Sequence, residues 1–108
     1  MVHTRGRVDV ARFRLRFRLM RESVLESDAR KFAIARGWFE IKIMRASKNG
    51  FPDRFYARGG IIMLIEYKAP SKVVMKGSQQ DLRINELREQ GVTVHVINNI
   101  EDAKRALY

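Results

Sequence analysis

The chain has 108 residues and no cysteine, and its 22 Lys and Arg against 12 Asp and Glu give a formal charge of +10. This length fits one domain with a modest core, and the absence of cysteine excludes a disulfide framework and a thiolate zinc site. The positive charge favours a polyanionic partner, with nucleic acid and an anionic membrane surface as the two candidates. Without a leader pattern or a run of about 18 apolar residues, we expect a cytoplasmic protein that does not enter the membrane.

Residues 8–19 alternate between apolar and basic side chains. One parity carries Ala11, Phe13, Leu15, Phe17 and Leu19, and the other carries Arg12, Arg14, Arg16 and Arg18. A period of two predicts a half-buried strand with its arginines in water. The segment is either a basic leader ahead of the domain or an edge strand that pairs subunits or lies along phosphates. We therefore separate residues 1–20, a basic N-terminal strand or arm, from a domain over residues 21–108.

The next elements are a helix and a strand. Apolar residues between Arg21 and Arg36 recur at helical spacing, and Gly37 stands where a C-cap glycine belongs. Residues 38–44 then predict a strand, with Trp38, Glu40 and Lys42 on one side.

A hairpin is predicted around Gly59-Gly60, because this pair favours a two-residue turn with positive φ. Residues 61–65 of its second strand are all apolar, which is typical of a strand at the centre of a sheet that is covered on both faces. Ser78 can N-cap a second long helix that ends at Gly91. A strand through Val92, Val94 and Val96 and a short helix that Asn98-Asn99 open and that runs through Leu107 complete the chain. The prediction is an α/β fold, a mixed central sheet flanked by helices with an α-β-β-β-α-β core and possibly an extra N-terminal strand.

Three charged residues of the hairpin carry the chemical prediction. Glu66 and Lys68 are two residues apart in an apolar strand and so point to the same face, and the hairpin brings Asp53 towards Glu66. The alternative is a surface hairpin with solvated charges and an ordinary Glu66–Lys68 ion pair. An acid and a lysine in a buried strand are costly without a partner, so we favour a metal-dependent phosphodiester nuclease.

The order of elements and motifs resembles the PD-(D/E)XK nuclease superfamily, which has a restriction-endonuclease-like fold. Within it, residues 50–54, residues 66–70, and Gln80 followed by Leu87 and Gly91 look like the VRR-NUC (virus-type replication-repair nuclease) family. The resemblance covers about residues 21–108. Trp38-Phe39 departs from it, since the family usually has a more glycine-rich segment there.

The resemblance implies a Mg²⁺ site, in which Mn²⁺ can substitute. Asp53 and Glu66 would be direct ligands, with the backbone carbonyl of Tyr67 as a further ligand and Glu26 completing the acidic cluster. Lys68 would orient the attacking water or stabilise its developing charge. Gln80 would position the water or phosphate. Glu22 competes with Glu26 for its role, and Gln79 competes with Gln80. Predicted contacts with nucleic acid come from four cations: Lys42, Arg54, Lys72 and Lys76.

Small stand-alone members of the family occur in phages and bacteria and resemble homodimeric Holliday-junction resolvases. The resemblance therefore implies a homodimer that cuts four-way or other branched DNA in a bacterial or phage-infected cell. A flap- or nick-directed nuclease and a non-catalytic basic DNA-binding module are the alternatives. A membrane-binding protein built on residues 11–19 is disfavoured, because a period of two lacks helical amphipathicity.

Overall fold

The computed structural model describes residues 2–108; the side chains of residues 2–9, 15 and 17–20 lie outside that description. The elements in chain order are α1 (Val2–Ala35), β1 (Phe39–Lys42), β2 (Arg54–Arg58), β3 (Ile61–Tyr67), α2 (Gln79–Glu89), β4 (Val94–Ile97) and α3 (Ile100–Ala106). The predicted order from the first helix onward is confirmed.

The four strands form one mixed sheet in the order β1-β2-β3-β4. β1 pairs with β2 and β2 pairs with β3 in antiparallel fashion, whereas β3 and β4 are parallel. The hairpin between β2 and β3 turns at Gly59 and Gly60, whose φ angles of 56° and 82° favour glycine. The α/β fold class with a mixed sheet flanked by helices is therefore confirmed.

The predicted strand over residues 8–19 is wrong, because these residues lie in α1. A half-buried strand needs a neighbour for its backbone and a surface for its apolar face, and Phe13 is 67% exposed instead. Arginine and leucine are good helix formers, and residues 21–35 already supply a packed helical turn from which a helix extends at low cost. The part of the predicted alternation at Leu15 and residues 17–19 concerns side chains outside the described ones.

The C-terminal end of α1 is closed by the predicted glycine. Gly37 has φ +82°, the Trp38 amide donates to the Ala33 carbonyl, and the Gly37 amide donates to the Ile34 carbonyl. These two hydrogen bonds form a Schellman motif, which satisfies carbonyls left free at a helix end. The motif turns the chain directly into β1.

The sheet is covered by α1 and α3 on one face and by α2 on the other. Trp38, Tyr56, Met63, Ile65 and Tyr67 join α1 and α3 in one core cluster, while Leu64, Ile84 and Val94 form a second cluster under α2. β3 is central, as predicted. It is buried only from Met63 onward, because Ile61 and Ile62 are 54% and 55% exposed beyond the reach of the helices.

The remaining helices begin where the sequence predicts. Ser78 Oγ accepts from the Asp81 amide at the start of α2, and Asn99 Oδ1 accepts from the Asp102 amide at the start of α3. Among the described residues, no helix is long and apolar enough to cross a bilayer.

Candidate metal site at the sheet edge

Two carboxylates meet where β2 begins and β3 ends. Arg54 pairs with Ile65 in the antiparallel register, so continuing the ladder by one residue places Asp53 opposite Glu66. The two residues therefore lie side by side on the α2 face of the sheet. Lys68 follows on the same face, with its Nζ 3.6 Å from Glu66 Oε2. We call the group of Asp53, Glu66, Lys68 and Gln80 the acid edge.

Glu66 is held in a setting that disfavours its charge. Burial and the neighbouring Asp53 carboxylate raise the pKa of Glu66 to about 7. Lys68 and a hydrogen-bonding interaction with the Gln80 side chain oppose that rise in pKa without cancelling it. The structure therefore brings Gln80 to Glu66, whereas Gln79 is exposed.

Asp53 is in a similar position. Burial and the charge of Glu26 raise the pKa of Asp53, although Arg54 and Lys42 lower it. Its Oδ1 atom is buried and has no hydrogen-bond partner. Because a buried oxygen without a partner is costly, Asp53 favours an additional cation or donor at this place.

A close backbone approach fixes the position of Gln80. Gly50 has φ +80°, and a Cβ built on it would lie 2.5 Å from the Gln79 carbonyl oxygen and 2.7 Å from the Gln80 amide nitrogen. Only glycine allows the loop before Asp53 to touch the start of α2 in this way. This contact places the first turn of α2, which contains Gln80, next to the acid edge.

Arg54 does not face solvent, in contrast to the predicted phosphate contact. The residue is 6% exposed, and its guanidinium donates to Glu26 Oε2 at 2.9 Å and to Glu40 Oε2 at 3.2 Å. Glu40 also accepts from Arg30 Nε at 2.6 Å. We call Glu26, Arg30, Glu40 and Arg54 the ion-pair network. The prediction for Arg54 is corrected. Side chains alternate between the two faces along β2, and that of Arg54 lies on the face towards α1, where the carboxylates of Glu26 and Glu40 lie.

The structure does not gather Glu26 into a three-acid cluster. Glu26 lies on α1, on the opposite face of the sheet from Glu66, and its carboxylate is bound by Arg54. Among residues 2–108 as described, no group of three or more His, Cys, Asp or Glu side chains is placed to hold a metal ion. Glu26 does act on Asp53 through its charge, which favours it over Glu22. Its role as a direct ligand stays a prediction.

Tyr67 has a structural side chain. It is fully buried, and its hydroxyl shares a 2.8 Å hydrogen bond with the hydroxyl of Tyr56. Burial raises the pKa of Tyr67 and raises that of Tyr56 to about 12, so both phenols stay protonated at neutral pH. The role predicted for Tyr67 concerns only its backbone carbonyl, at the end of β3.

The other predicted cations are exposed. Lys42 lies at the end of β1, opposite Arg54 in the register, and its charge acts to lower the pKa of Asp53. Lys72 and Lys76 lie in the loop between β3 and α2, which starts directly after Tyr67. All three lysines can therefore approach a polyanion near the acid edge.

Sequence reasoning missed the ion-pair network. The signal was present in the strand parity, since Glu40 and Arg54 occupy positions of β1 and β2 that face α1. A charged residue on a buried face predicts an ion-pair partner on the covering helix. Arg30 could be assigned only once the crossing of α1 over the sheet was known.

The acid edge fits a hard divalent cation. Mg²⁺ in proteins is held by one or two carboxylates together with water and phosphate oxygens. Asp53 and Glu66 supply two neighbouring carboxylates, one with a buried oxygen that lacks a partner. A cation between them would oppose both causes of the raised pKa of Glu66, which are burial first and repulsion by Asp53 second.

One of three comparisons with known proteins found a match, and that match concerns the fold. No protein-family model and no curated protein matches the chain. A solved structure described as a VRR_NUC domain is similar, with a TM-score of 0.63 and 22% identity over 79% of this chain and 91% of that chain. The resemblance seen in the motifs is thereby confirmed at the level of structure: the chain has the fold of a VRR_NUC domain.

Proposed function

We propose that this protein is a metal-dependent nuclease that hydrolyses phosphodiester bonds in DNA. The proposal is carried by the acid edge, where the buried Asp53 oxygen without a partner lies beside a carboxylate whose pKa is raised to about 7. Such a pair is destabilising in the absence of a cation and is therefore expected at a functional site. The VRR_NUC-like fold and the charge of +10 support the same function.

The positions of the side chains support the following roles. A bound Mg²⁺, or Mn²⁺ in its place, would offset charge at the scissile phosphate and make hydroxide available at neutral pH. Asp53 and Glu66 would hold that ion, with the Tyr67 carbonyl as an additional oxygen. Lys68 would stabilise negative charge developing on the attacking water, since its ammonium already lies beside Glu66. Gln80 would orient the water or phosphate by hydrogen bonding.

Glu26 would act on the site through its charge, and as a ligand only if Arg54 released it. Lys42, Lys72 and Lys76 would hold the DNA backbone next to the acid edge, giving affinity that does not depend on sequence.

The finer proposal is a Holliday-junction resolvase that acts as a homodimer on four-way or other branched DNA. A two-fold dimer matches the two equivalent cleavage points of a four-way junction. An apolar surface supports self-association, since Phe39, Ile41 and Ile62 share the α2 face of the sheet and are 59%, 46% and 55% exposed. The cytoplasm of a bacterial or phage-infected cell stays the predicted setting.

The experiment is a cleavage assay on a labelled four-way junction with Mg²⁺ or Mn²⁺. We expect Lys68→Ala and Asp53→Ala each to lower the cleavage rate at least about a hundredfold. Lys104→Ala, which removes one exposed charge away from the acid edge, should cut at the wild-type rate. Wild-type protein that binds the junction but cuts nothing with either metal would contradict the nuclease and support a non-catalytic binding module.

The substrate preference needs a separate comparison. A resolvase should cut the junction faster than a flap, a nicked duplex or a linear duplex, and should cut it as a symmetric pair of nicks. Faster cutting of the flap or nick would replace the resolvase with a nuclease directed at those structures. Sedimentation that shows only monomer at working concentration would contradict the homodimer.

A further inference from the structure

The first half of α1 carries no buried side chain among those that the structure describes. Leu25 is the first buried residue along the helix among those whose side chains are described, and residues 10–14 and 16 are all exposed. α1 nevertheless begins at Val2. About twenty helical residues therefore precede the part of α1 that packs on the sheet.

Contacts along α1 show in which direction this segment projects. Glu26 meets Arg54 at the first residue of β2, Arg30 meets Glu40 inside β1, and Ala33 meets Trp38 just before β1. The sheet end that carries Arg54 also carries the acid edge, so α1 runs from the acid edge towards the opposite end. Arg21 lines a cavity together with Pro70 and Asn98, which lie just beyond the ends of β3 and β4. Residues before Arg21 thus extend past the same edge as Asp53 and Glu66.

The projecting segment is strongly basic. Residues 10–21 contain five arginines and no acid. Arg12, Arg14 and Arg16 are exposed. At 1.5 Å per residue, about twenty residues reach about 30 Å, which is the length of roughly nine base pairs of duplex.

We propose that residues 2–20 form a helical arm that binds the phosphate backbone of duplex DNA flanking the acid edge. This deepens the proposed function by naming a binding surface for the duplex beside the cut, and it rests on that function only for the identity of the polyanion. The exposed arginines Arg12, Arg14 and Arg16 supply the positive charge that contacts with phosphates need.

The arrangement of side chains favours DNA over a membrane surface. A helix that lies in a lipid interface needs its apolar and basic residues on opposite faces. At 100° per residue, Phe13 lies between Arg16 and Val10 around the helix, and Arg14 follows Val10. Val24 falls between Phe13 and Val10, so these three exposed apolar residues occupy an arc of about 60°, and Arg14 and Arg16 border that arc on its two sides. This arc is narrower than the apolar face of about 100° that an amphipathic helix buries.

The test is DNA binding without metal, measured by fluorescence anisotropy on a labelled duplex of about 30 base pairs. The arm variant is R12Q/R14Q/R16Q, and the matched control is K31Q/K104Q/R105Q, whose three exposed cations lie away from the acid edge. Each triple variant lowers the formal charge from +10 by three, to +7. R12K/R14K/R16K keeps the charge, and circular dichroism and thermal melting check the fold of every variant.

We expect the arm variant to bind the duplex at least about tenfold more weakly. The slope of log affinity against log salt should fall by up to about 2.7, or about 0.9 for each phosphate that the arm no longer neutralises. The control should stay within about twofold of wild type, and the lysine variant should restore binding. On duplexes too short to reach the arm, the arm variant and wild type should bind equally.

Equal weakening in the arm variant and the control would overturn the proposal, because net charge alone would then explain both. Unchanged duplex binding in the arm variant would overturn it too, as would weakening confined to anionic phospholipid vesicles. Since no metal is present, the outcome is independent of cleavage: a protein that binds the duplex through the arm here but cuts no DNA in the separate assay with Mg²⁺ or Mn²⁺ would refute only the proposed nuclease.

Discussion

Two groups of buried charge lie back to back at the same end of the sheet, and they differ in one respect. In the ion-pair network every carboxylate meets a guanidinium, with Arg54 between Glu26 and Glu40 and Arg30 on Glu40. At the acid edge, Asp53 and Glu66 face each other, with one lysine 3.6 Å from Glu66. The carboxylates of the first group are all paired, although Arg54 Nε is buried there without a hydrogen-bond partner, whereas the second group leaves a carboxylate oxygen of Asp53 without a partner. This difference in the pairing of the carboxylates is why we propose a metal site at the acid edge and not at the ion-pair network.

The largest expected change in unfolding free energy comes from breaking the ion-pair network. Arg54→Met leaves Glu26 and Glu40 buried with one guanidinium between them, so the unfolding free energy should fall by about 3–5 kcal/mol. Arg105→Met is the control, since the Arg105–Asp102 pair is exposed and should contribute under about 1 kcal/mol. Chemical denaturation measures both. An Arg54→Met protein as stable as the control variant would show that the network is not structural.

The contribution of the acid edge to stability should change with pH in the opposite sense to that of an ordinary ion pair. The folded-state pKa of Glu66 is raised from 4.5 to about 7, so the folded protein binds the extra proton and loses stability as pH rises through this window. Above pH 7 the decrease should amount to roughly 2–3 kcal/mol relative to pH 4. Glu66→Gln removes this dependence.

The measurement is the difference in unfolding free energy between wild type and Glu66→Gln at several pH values, without divalent metal. We expect Glu66→Gln to be the more stable protein at pH 8 and to lose that advantage near pH 4. Adding Mg²⁺ should stabilise wild type more at pH 8 than at pH 5. A difference that does not change with pH would contradict the raised pKa of Glu66.

The link between the loop and α2 can be tested with two glycines of the same conformation. Gly50 and Gly77 both have φ +80°, but only Gly50 leaves no room for a Cβ. Gly50→Ala should therefore destabilise the protein by about 1–3 kcal/mol more than Gly77→Ala, because the start of α2 must move. It should also lower cleavage, since Gln80 moves with the helix. Equal thermal shifts would show that the close approach is not needed.

The smallest change in unfolding free energy is expected for Asp53→Asn. Removing one of two opposed carboxylates relieves repulsion, so the metal-free protein should become more stable by up to about 1 kcal/mol. Denaturation without metal at pH 8 measures this change. A decrease of several kcal/mol would mean that Asp53 has a structural partner.

The sequence predicted what depends on local signals. Gly37, Gly59-Gly60, Ser78 and Gly91 mark the ends of elements, and period-two spacing placed Glu66 beside Lys68. It did not predict that Arg54 is buried or that Glu26 is bound by Arg54, because both depend on how α1 crosses the sheet. The alternation over residues 8–19 failed as a predictor because no described strand is available there as a partner, and helix propensity then prevails.

Binding of divalent metal at the acid edge is tested most directly by calorimetric titration of Mn²⁺ into the wild-type, Asp53→Asn and Arg105→Met proteins at pH 8. We expect wild type and Arg105→Met to bind with the same affinity and Asp53→Asn to bind at least about tenfold more weakly. Unchanged Mn²⁺ affinity in Asp53→Asn, or no binding by wild type, would contradict the assignment of the acid edge as a metal site.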